Sequence, residues 1–263
     1  MRILFASKHN YGGKQPVGGV QSWSKTLGQE FVKLGYEVVF WEPRKPAPDG
    51  AFDAGIFANV AFTGKLMALC RKTLVVSHGI IEDEMPVGGD VVAYTSEGVK
   101  RHWGGAGPII RQPIDLGFWW QAEAPRKGVV RYSYRDGLEF LGPLCDKMGL
   151  PYRHVRGVTH EQAREAMHGA SCVLATGRAA LEAMACGAPV AICDDRGYQP
   201  PLVAYSIPSQ MAENYSGRGG VEANMETVRA AINNAMQAGC QRRHVETHHD
   251  SRKIAEQVLC LLF

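Results

Sequence analysis

The run Leu181-Glu182-Ala183-Met184-Ala185-Cys186-Gly187-Ala188-Pro189-Val190 sets the architecture of this chain. An apolar segment, Cys172-Val173-Leu174-Ala175, leads into it through Thr176-Gly177-Arg178, and a second, Val190-Ala191-Ile192-Cys193, leaves it. The pattern is a strand, a small-residue turn, a short helix and a parallel strand, with one carboxylate in the helix's first turns. Backbone N–H groups at a helix start have no partner within the helix and attract phosphate. A glutamate placed there can accept hydrogen bonds from sugar hydroxyls, as the acidic residue of a dinucleotide site does from ribose. The competing reading is an amphipathic crossover helix with Glu182 turned to solvent.

Working outward, the same alternation recurs along the whole chain. Arg2 to Ala6 reads as a strand, Ser7 to Gly19 as a polar glycine-rich loop, and Val20 to Leu34 as a helix closed by Gly35. Strands follow at Tyr36 to Trp41, Asp53 to Ala58, Thr73 to Ser77 and Val91 to Thr95, with a helix near Gly64 to Arg71. Ser96 caps a helix to Trp103, and Pro108 to Arg111 is the last short strand of this half. Leu116 to Lys127 breaks the pattern, which places a domain boundary near Gln121: residues 1–121 form one domain and 122–263 the other. The second half restarts with strands at Val129 to Ser133 and Tyr152 to Val155 and helices at Gly137 to Met148 and Thr159 to His168. Asp194 to Gly220 is a long irregular stretch with room for a short helix, and helices occupy Val221 to Ala238 and Asp250 to Leu262. Alternating strands and helices imply parallel sheets covered on both faces, an α/β fold.

Composition narrows the function. The 263 residues allow two modest domains, and 45% hydrophobic with 9% aromatic residues is a globular composition that excludes disorder. A net charge of +3 suits anionic ligands and does not demand nucleic acid. No segment approaches the ~20 apolar residues of a membrane span, and Met1 to Ala6 is too short for a signal-peptide core, so a cytoplasmic protein is expected. The seven cysteines are odd in number and show no metal-ligand spacing, which implies buried reduced thiols.

Glu182 through Val190 resembles the C-terminal signature Glu-Ala-Met-Ala-x-Gly-x-Pro-Val of the retaining, family 4-like glycosyltransferases with the GT-B fold, two facing Rossmann-like domains with parallel sheets. Further segments resemble the family in the order it requires. Gly18-Gly19-Val20-Gln21, followed by Leu27 to Val38, is similar to its N-terminal motif. Val75-Val76-Ser77-His78-Gly79 is similar to its strand-end histidine, and Ile109 to Asp115 to the segment before its linker, with glutamine and proline where the family has asparagine and glycine. The final helix of such proteins commonly crosses back onto the first domain. The likeness covers about Met1 to Val190 and that last helix.

The resemblance implies that Glu182 binds the ribose of a nucleotide-sugar donor such as a UDP- or GDP-sugar, the only cofactor-like molecule expected. Gly18 and Gly19 would approach the diphosphate, with Asn10 to Val17 lining the site's mouth; their alternative is a flexible turn. His78 would contact and orient the sugar without abstracting a proton, against the alternative of a structural hydrogen-bonder. Arg135, with Arg131 second, would neutralise the departing diphosphate, where fixed positive charge is needed. Thr176, Gly177 and Arg178 belong to the helix start that faces the donor, although Arg178 also reads as an exposed helix arginine. Glu82, Asp83 and Glu84 suit acceptor hydroxyls or a solvated acidic turn. The family's first glutamate, eight positions before Glu182, is Leu174 here, and Asp194 and Asp195 end the next strand. No paired-aspartate motif is present, so no metal is expected.

The function so implied is transfer of a sugar to a hydroxyl acceptor with retention. Three rivals stand beside it. The acceptor could be a base in DNA, as for viral DNA-modifying glycosyltransferases, which would put the protein in a host cytoplasm; Arg126, Lys127, Arg131, Arg135, Arg153 and Arg156 would then form a phosphate track. The chain could instead be a non-catalytic nucleotide-sugar-binding module, or a GT-B-like epimerase.

Overall fold

The computed structural model describes residues 1–7, 19–43, 45–58, 64–199, 202 and 206–263. The chain divides into two compact units, Met1–Asp115 with His249–Phe263, and Leu116–His248.

In the first unit, β1 (Arg2–Ser7), α1 (Gly19–Lys33), β2 (Glu37–Trp41), β3 (Ala54–Ala58), α2 (Gly64–Met67), β4 (Thr73–Ser77), β5 (Val91–Tyr94) and α3 (Glu97–Trp103) follow one another. The sheet order is β2-β1-β3-β4-β5 and every pairing is parallel. Both faces are covered, which is why β1, β3 and β4 read as unbroken apolar runs. On one face Ile3, Phe5, Ile56, Leu74 and Val76 pack against Trp23, Leu27 and Phe31 of α1. Leu4, Ala6, Phe57 and Val75 fill the other face with Phe52 and Leu66. Ser96 caps α3 by accepting from the Val99 N–H at 3.2 Å.

In the second unit, β6 (Val129–Tyr132), α4 (Leu141–Lys147), β7 (Tyr152–Val155), α5 (His160–His168), β8 (Cys172–Ala175), α6 (Gly177–Ala185), β9 (Val190–Asp194), β10 (Gly197–Tyr198), α7 (Ile207–Ala212), α8 (Met225–Ala238) and α9 (Arg242–His248) build a sheet of order β10-β9-β8-β6-β7. Its pairings are parallel except β10 against β9. One face is filled by Val129, Cys172, Leu174, Ala191 and Cys193 beneath Leu141, Leu144, Val228 and Ile232.

The last helix, α10 (Ser251–Leu262), belongs to the first unit. Ile254, Ala255, Val258 and Leu262 complete the core around α1 and β4. The chain enters it through paired backbone bonds, Ile114 N–H to His249 O at 2.7 Å and Ser251 N–H to Ile114 O at 3.1 Å.

Several expected boundaries shift for local reasons. The aromatic run after Asp115 packs on α5, within the unit Leu116–His248. Arg164 lies over the Phe118 ring at 4.7 Å and donates to the Phe118 carbonyl at 3.0 Å, while Trp120 rests on His168 with ring centroids 4.5 Å apart. The helix expected from Gly137 begins at Leu141, because Gly137 (φ 83°) and Leu138 (φ 59°) are left-handed. The helix expected from Val221 begins at Met225, where Asn224 forms a capping box with Thr227. Pro108 to Arg111 contributes an isolated bridge, Tyr94 to Ile109, in place of a strand, and α2 is one turn long. The antiparallel β10 and helix α9 were not anticipated.

Candidate functional site

Parallel strands place the residues that follow them at one edge of a sheet, where open α/β folds bind ligands. At the carboxyl edge of the second sheet stand the turns after β6, β8 and β9. Thr176 occupies the N-cap of α6, yet its side chain makes no capping bond. Its hydroxyl instead donates to Asp194 Oδ2 at 3.2 Å. Asp194 is 1% exposed and is further held by Arg196, whose backbone N–H donates to Oδ1 at 2.8 Å and whose Nε donates to Oδ2 at 2.9 Å. Arg196 Nη2 reaches Asp194 as well, and also the Thr176 hydroxyl at 3.3 Å. Gly177 gives its amide to the Tyr215 carbonyl at 2.7 Å, which anchors the turn and takes that N–H away from any ligand.

Glu182 is 3% exposed. That excludes the solvent-facing alternative. Arg178, one helical turn earlier, donates from Nε to Oε1 at 2.8 Å, and its side chain is only 9% exposed. Arg178 is therefore neither an exposed helix arginine nor a cation presented at the helix start. Burial raises the Glu182 carboxyl above its ordinary value, and the guanidinium of Arg178 offsets this only in part. The phenols of Tyr132 and Tyr134 are raised too, by burial first and by the Glu182 charge second, so both tyrosines share its surroundings. Tyr132 is buried, and Tyr134 is 47% exposed.

The two arginines expected at the diphosphate differ sharply. Arg131 is buried in β6 and turns its guanidinium onto the following loop. Nη2 donates to the Arg135 and Asp136 carbonyls at 2.8 and 2.9 Å, and Nη1 to the Gly137 carbonyl. Its guanidinium shapes the loop. Arg135, at the tip of that loop, is half-exposed and pairs with Asp195, Nη1 to Oδ2 at 3.0 Å. Leu174, at the position of the missing glutamate, is fully buried inside β8. A single residue, Thr176, joins β8 to α6, so the eight-residue spacing runs back into the sheet core instead of a ligand loop.

Sequence reading missed the Arg196 clamp, the two tyrosines and a cavity of about 220 Å³ lined by Gln199, Gln210, Glu213, Tyr215, Gly217 and Arg218. The cavity adjoins the Thr176 cluster: a Cβ on Gly217 would lie 3.3 Å from Thr176 Cγ2 and 3.6 Å from Asp194 Oδ1. The period-two placement of Tyr132 and Tyr134 and the Asp194-x-Arg196 turn were the available signals.

In the first unit, His78 follows β4 at the carboxyl edge of its sheet. Its ring meets Trp23 edge-on, with centroids 4.9 Å apart. Ser77 donates to the Glu84 carbonyl at 2.8 Å and Trp103 Nε1 to the Gly79 carbonyl at 2.8 Å, which fixes the turn around the histidine. Glu97 and Arg111 form a two-pronged pair at 2.6 and 3.3 Å; burial works against the Glu97 charge, but Arg111 holds its carboxyl below the ordinary value. Gly19 is the first residue of α1, and a Cβ there would meet nothing within 4 Å. Gly18 and the segment Asn10 to Val17 lie outside the described residues. Among the described residues no group of three or more His, Cys, Asp or Glu could hold a metal ion, and no helix is long and apolar enough to cross a membrane.

No family model matches the chain, and neither does any curated protein sequence. Solved structures do. AviGT4, a glycosyltransferase involved in avilamycin A biosynthesis, superposes with a TM-score of 0.65 over 99% of this chain and 96% of its own, at 16% identity. An alpha-glucosyltransferase in complex with UDP gives a TM-score of 0.55 over 100% and 99% of the two chains, at 12% identity. The alpha-glucosyltransferase with UDP and a 13-mer DNA containing a central A:G mismatch gives 0.56 over the same shares, again at 12% identity. The fold is GT-B. Identities this low establish architecture, and chemistry has to be argued from the site.

Proposed function

We propose that this chain transfers a sugar from a nucleoside-diphosphate sugar to a hydroxyl acceptor, with retention at the anomeric carbon. The observation that carries the reading is the buried Glu182–Arg178 pair inside α6, at the carboxyl edge of one unit of a GT-B fold. A charged pair withdrawn from water at that edge costs stability and serves a ligand better than it serves the core. Arg178 Nε takes Oε1, leaving Oε2 as the acceptor for a ribose hydroxyl. The remaining first amides of α6 and the guanidinium of Arg135 would hold the diphosphate, whose departure needs fixed positive charge. His78 keeps the role the resemblance gives it, contact with the transferred sugar. The acceptor oxygen bonds to the anomeric carbon as the bond to the diphosphate breaks, the hydroxyl proton passes to the departing diphosphate oxygen, and a nucleoside diphosphate leaves.

A DNA acceptor is the second reading, suggested by the alpha-glucosyltransferase held with DNA. The basic residues named for it are divided here. Arg126 donates to the Ala170 and Cys186 carbonyls and Arg131 to its own loop, while Lys127 and Arg153 are exposed, as are Arg135 and Arg156 in their pairs with Asp195 and Asp136.

The test incubates the protein with UDP-, GDP-, ADP- and dTDP-sugars and measures nucleoside diphosphate release, with DNA bearing hydroxymethylated bases in one arm and small alcohols in another. Acceptor-dependent release with the anomeric configuration kept is the expected result. Binding of a sugar nucleotide without release in any arm would mark a non-catalytic module, and a new sugar nucleotide formed without acceptor would mark an epimerase.

A further inference from the structure

Among the described residues, the carboxyl edge of the second sheet carries four arginine–carboxylate pairs, and they are not equivalent. Arg178–Glu182 and Arg196–Asp194 involve carboxylates with side chains 4% and 1% exposed, locked by burial. Arg156–Asp136 is exposed but follows β7, the outermost strand. Arg135–Asp195 alone joins the loop after β6 to the turn after β9, with side chains 51% and 36% exposed. In the sheet order β10-β9-β8-β6-β7, strands β6 and β9 are the two neighbours of β8. The pair therefore bridges over the β8–α6 turn. The two segments touch: a Cβ on Gly137 would lie 3.2 Å from Asp195 Cβ, and Gly137 holds φ +83°. Arg131 fixes the backbone that presents Arg135, through the Arg135 and Asp136 carbonyls at 2.8 and 2.9 Å. Asp195 Oδ1 and Oδ2 sit 3.4 and 3.0 Å from Arg135 Nη1.

We propose that Asp195 is a stand-in for phosphate and a specificity-determining residue: it occupies Arg135, and a ligand with a diphosphate's charge displaces it more readily than one of lower charge. The inference rests on the nucleotide-sugar reading and adds the residue that sets the anion threshold of that site. An exposed carboxylate holds a guanidinium weakly, whereas a diphosphate offers more charge and paired oxygens for the same planar fork. A monoanion gains less from the same exchange. Once displaced, the Asp195 carboxylate remains near the incoming negative charge and lowers affinity, a penalty that the amide of an Asp195→Asn variant removes.

Inorganic pyrophosphate tests this without regard to the base or sugar. It is titrated at one ionic strength into the full chain, Asp195→Asn, Arg135→Gln and the double variant, with inorganic phosphate as a parallel ligand. Asp195→Asn should bind pyrophosphate about fivefold more tightly and discriminate less against phosphate, the size expected from breaking one exposed pair and removing one nearby charge. In the Arg135→Gln background the same change should gain less than about twofold, since the two effects act through one contact. Unchanged or weaker binding by Asp195→Asn would overturn the inference, as would an equal gain in both backgrounds, which would report net charge alone. Parallel titrations with UDP, GDP, ADP and dTDP separate the two readings. Nucleotide binding by the parent without a gain in Asp195→Asn sinks the stand-in role and leaves the donor site standing. A parent that binds neither pyrophosphate nor any of the four nucleotides sinks both.

Discussion

Glu182 sits out of water with one guanidinium against it, and the balance of burial and pairing leaves its carboxyl above the ordinary value of 4.5. A raised folded pKa means that the folded chain binds the proton more tightly than the unfolded chain. Stability from this group is therefore fully present below the ordinary value and declines as pH rises through the raised one. Glu182→Gln removes that decline. Relative to the parent, the variant's stability should improve as pH rises above the ordinary carboxyl value of 4.5 in urea titrations, and a difference independent of pH would show that Glu182 is not held in a desolvated charged state. Truncation is a harsher change: both variants remove the counter-charge of Arg178, but Glu182→Ala also removes its acceptor oxygen and leaves a void, and should cost about 3–5 kcal/mol. Glutamine is thus the variant with which to separate binding from folding. At this scale the sequence named Glu182, Thr176 and Arg135, because each residue type carries its chemistry in its side chain. It could not show that Arg131 bends back onto its own loop, since that depends on the left-handed Gly137 and Leu138.

Elements of the second unit depend on caps and tight approaches. Thr159 and Gln162 form a reciprocal capping box at the start of α5, the Thr159 hydroxyl accepting from the Gln162 N–H at 3.3 Å. Thr159→Ala should cost about 1 kcal/mol, read as a lower urea midpoint at unchanged slope. Gly128 opens β6 at φ +73°, and a Cβ there would lie 2.3 Å from the Pro151 carbonyl. Gly128→Ala should cost roughly 2 kcal/mol or more, because left-handed strain and a backbone clash add; a shift within 0.5 kcal/mol would show that β6 and β7 separate easily. Periodicity located most strands and helices, since sheets buried on both faces need apolar runs. It failed at Pro108 to Arg111, where the chain passes β5 with a single bridge, and at α9, whose polar Arg242-Arg243-His244 opening shows no apolar face until Val245.

Across the whole molecule, the first unit is built from two distant stretches of chain, and α10 supplies Ile254, Ala255, Val258 and Leu262 to a core begun by β1. A chain ending before His249 should lose the cooperative unfolding of that unit, seen as a missing or broadened thermal transition, because exposing four core side chains forfeits about 1.5–3 kcal/mol for each large one. Thiol chemistry offers an independent check. Burial pushes Cys172, Cys186 and Cys193 up to about 12 and Cys70 and Cys145 up to about 11, while Cys240 and Cys260 are exposed. A thiol reagent at pH 8 should label Cys240 and Cys260 rapidly, and Cys145, Cys172, Cys186 and Cys193 only on unfolding. The repeating strand–helix pattern made two covered parallel sheets legible from the sequence, and the resemblance carried by Glu182 to Val190 implied the GT-B architecture. The junctions between units were less so, because Phe118, Trp119 and Trp120 look like a linker until α5 is seen to receive them.

The central claim is that α6 grips an activated sugar through Glu182. Thermal melting of the parent and of Glu182→Gln, each with UDP-, GDP-, ADP- and dTDP-sugars, tests it most directly. At least one donor at about a hundredfold its Kd should raise the parent's midpoint by several degrees, roughly 2.7 kcal/mol of linkage, and most of that rise should vanish in the variant. An equal rise in both proteins, or none in the parent with any donor, would contradict the claim.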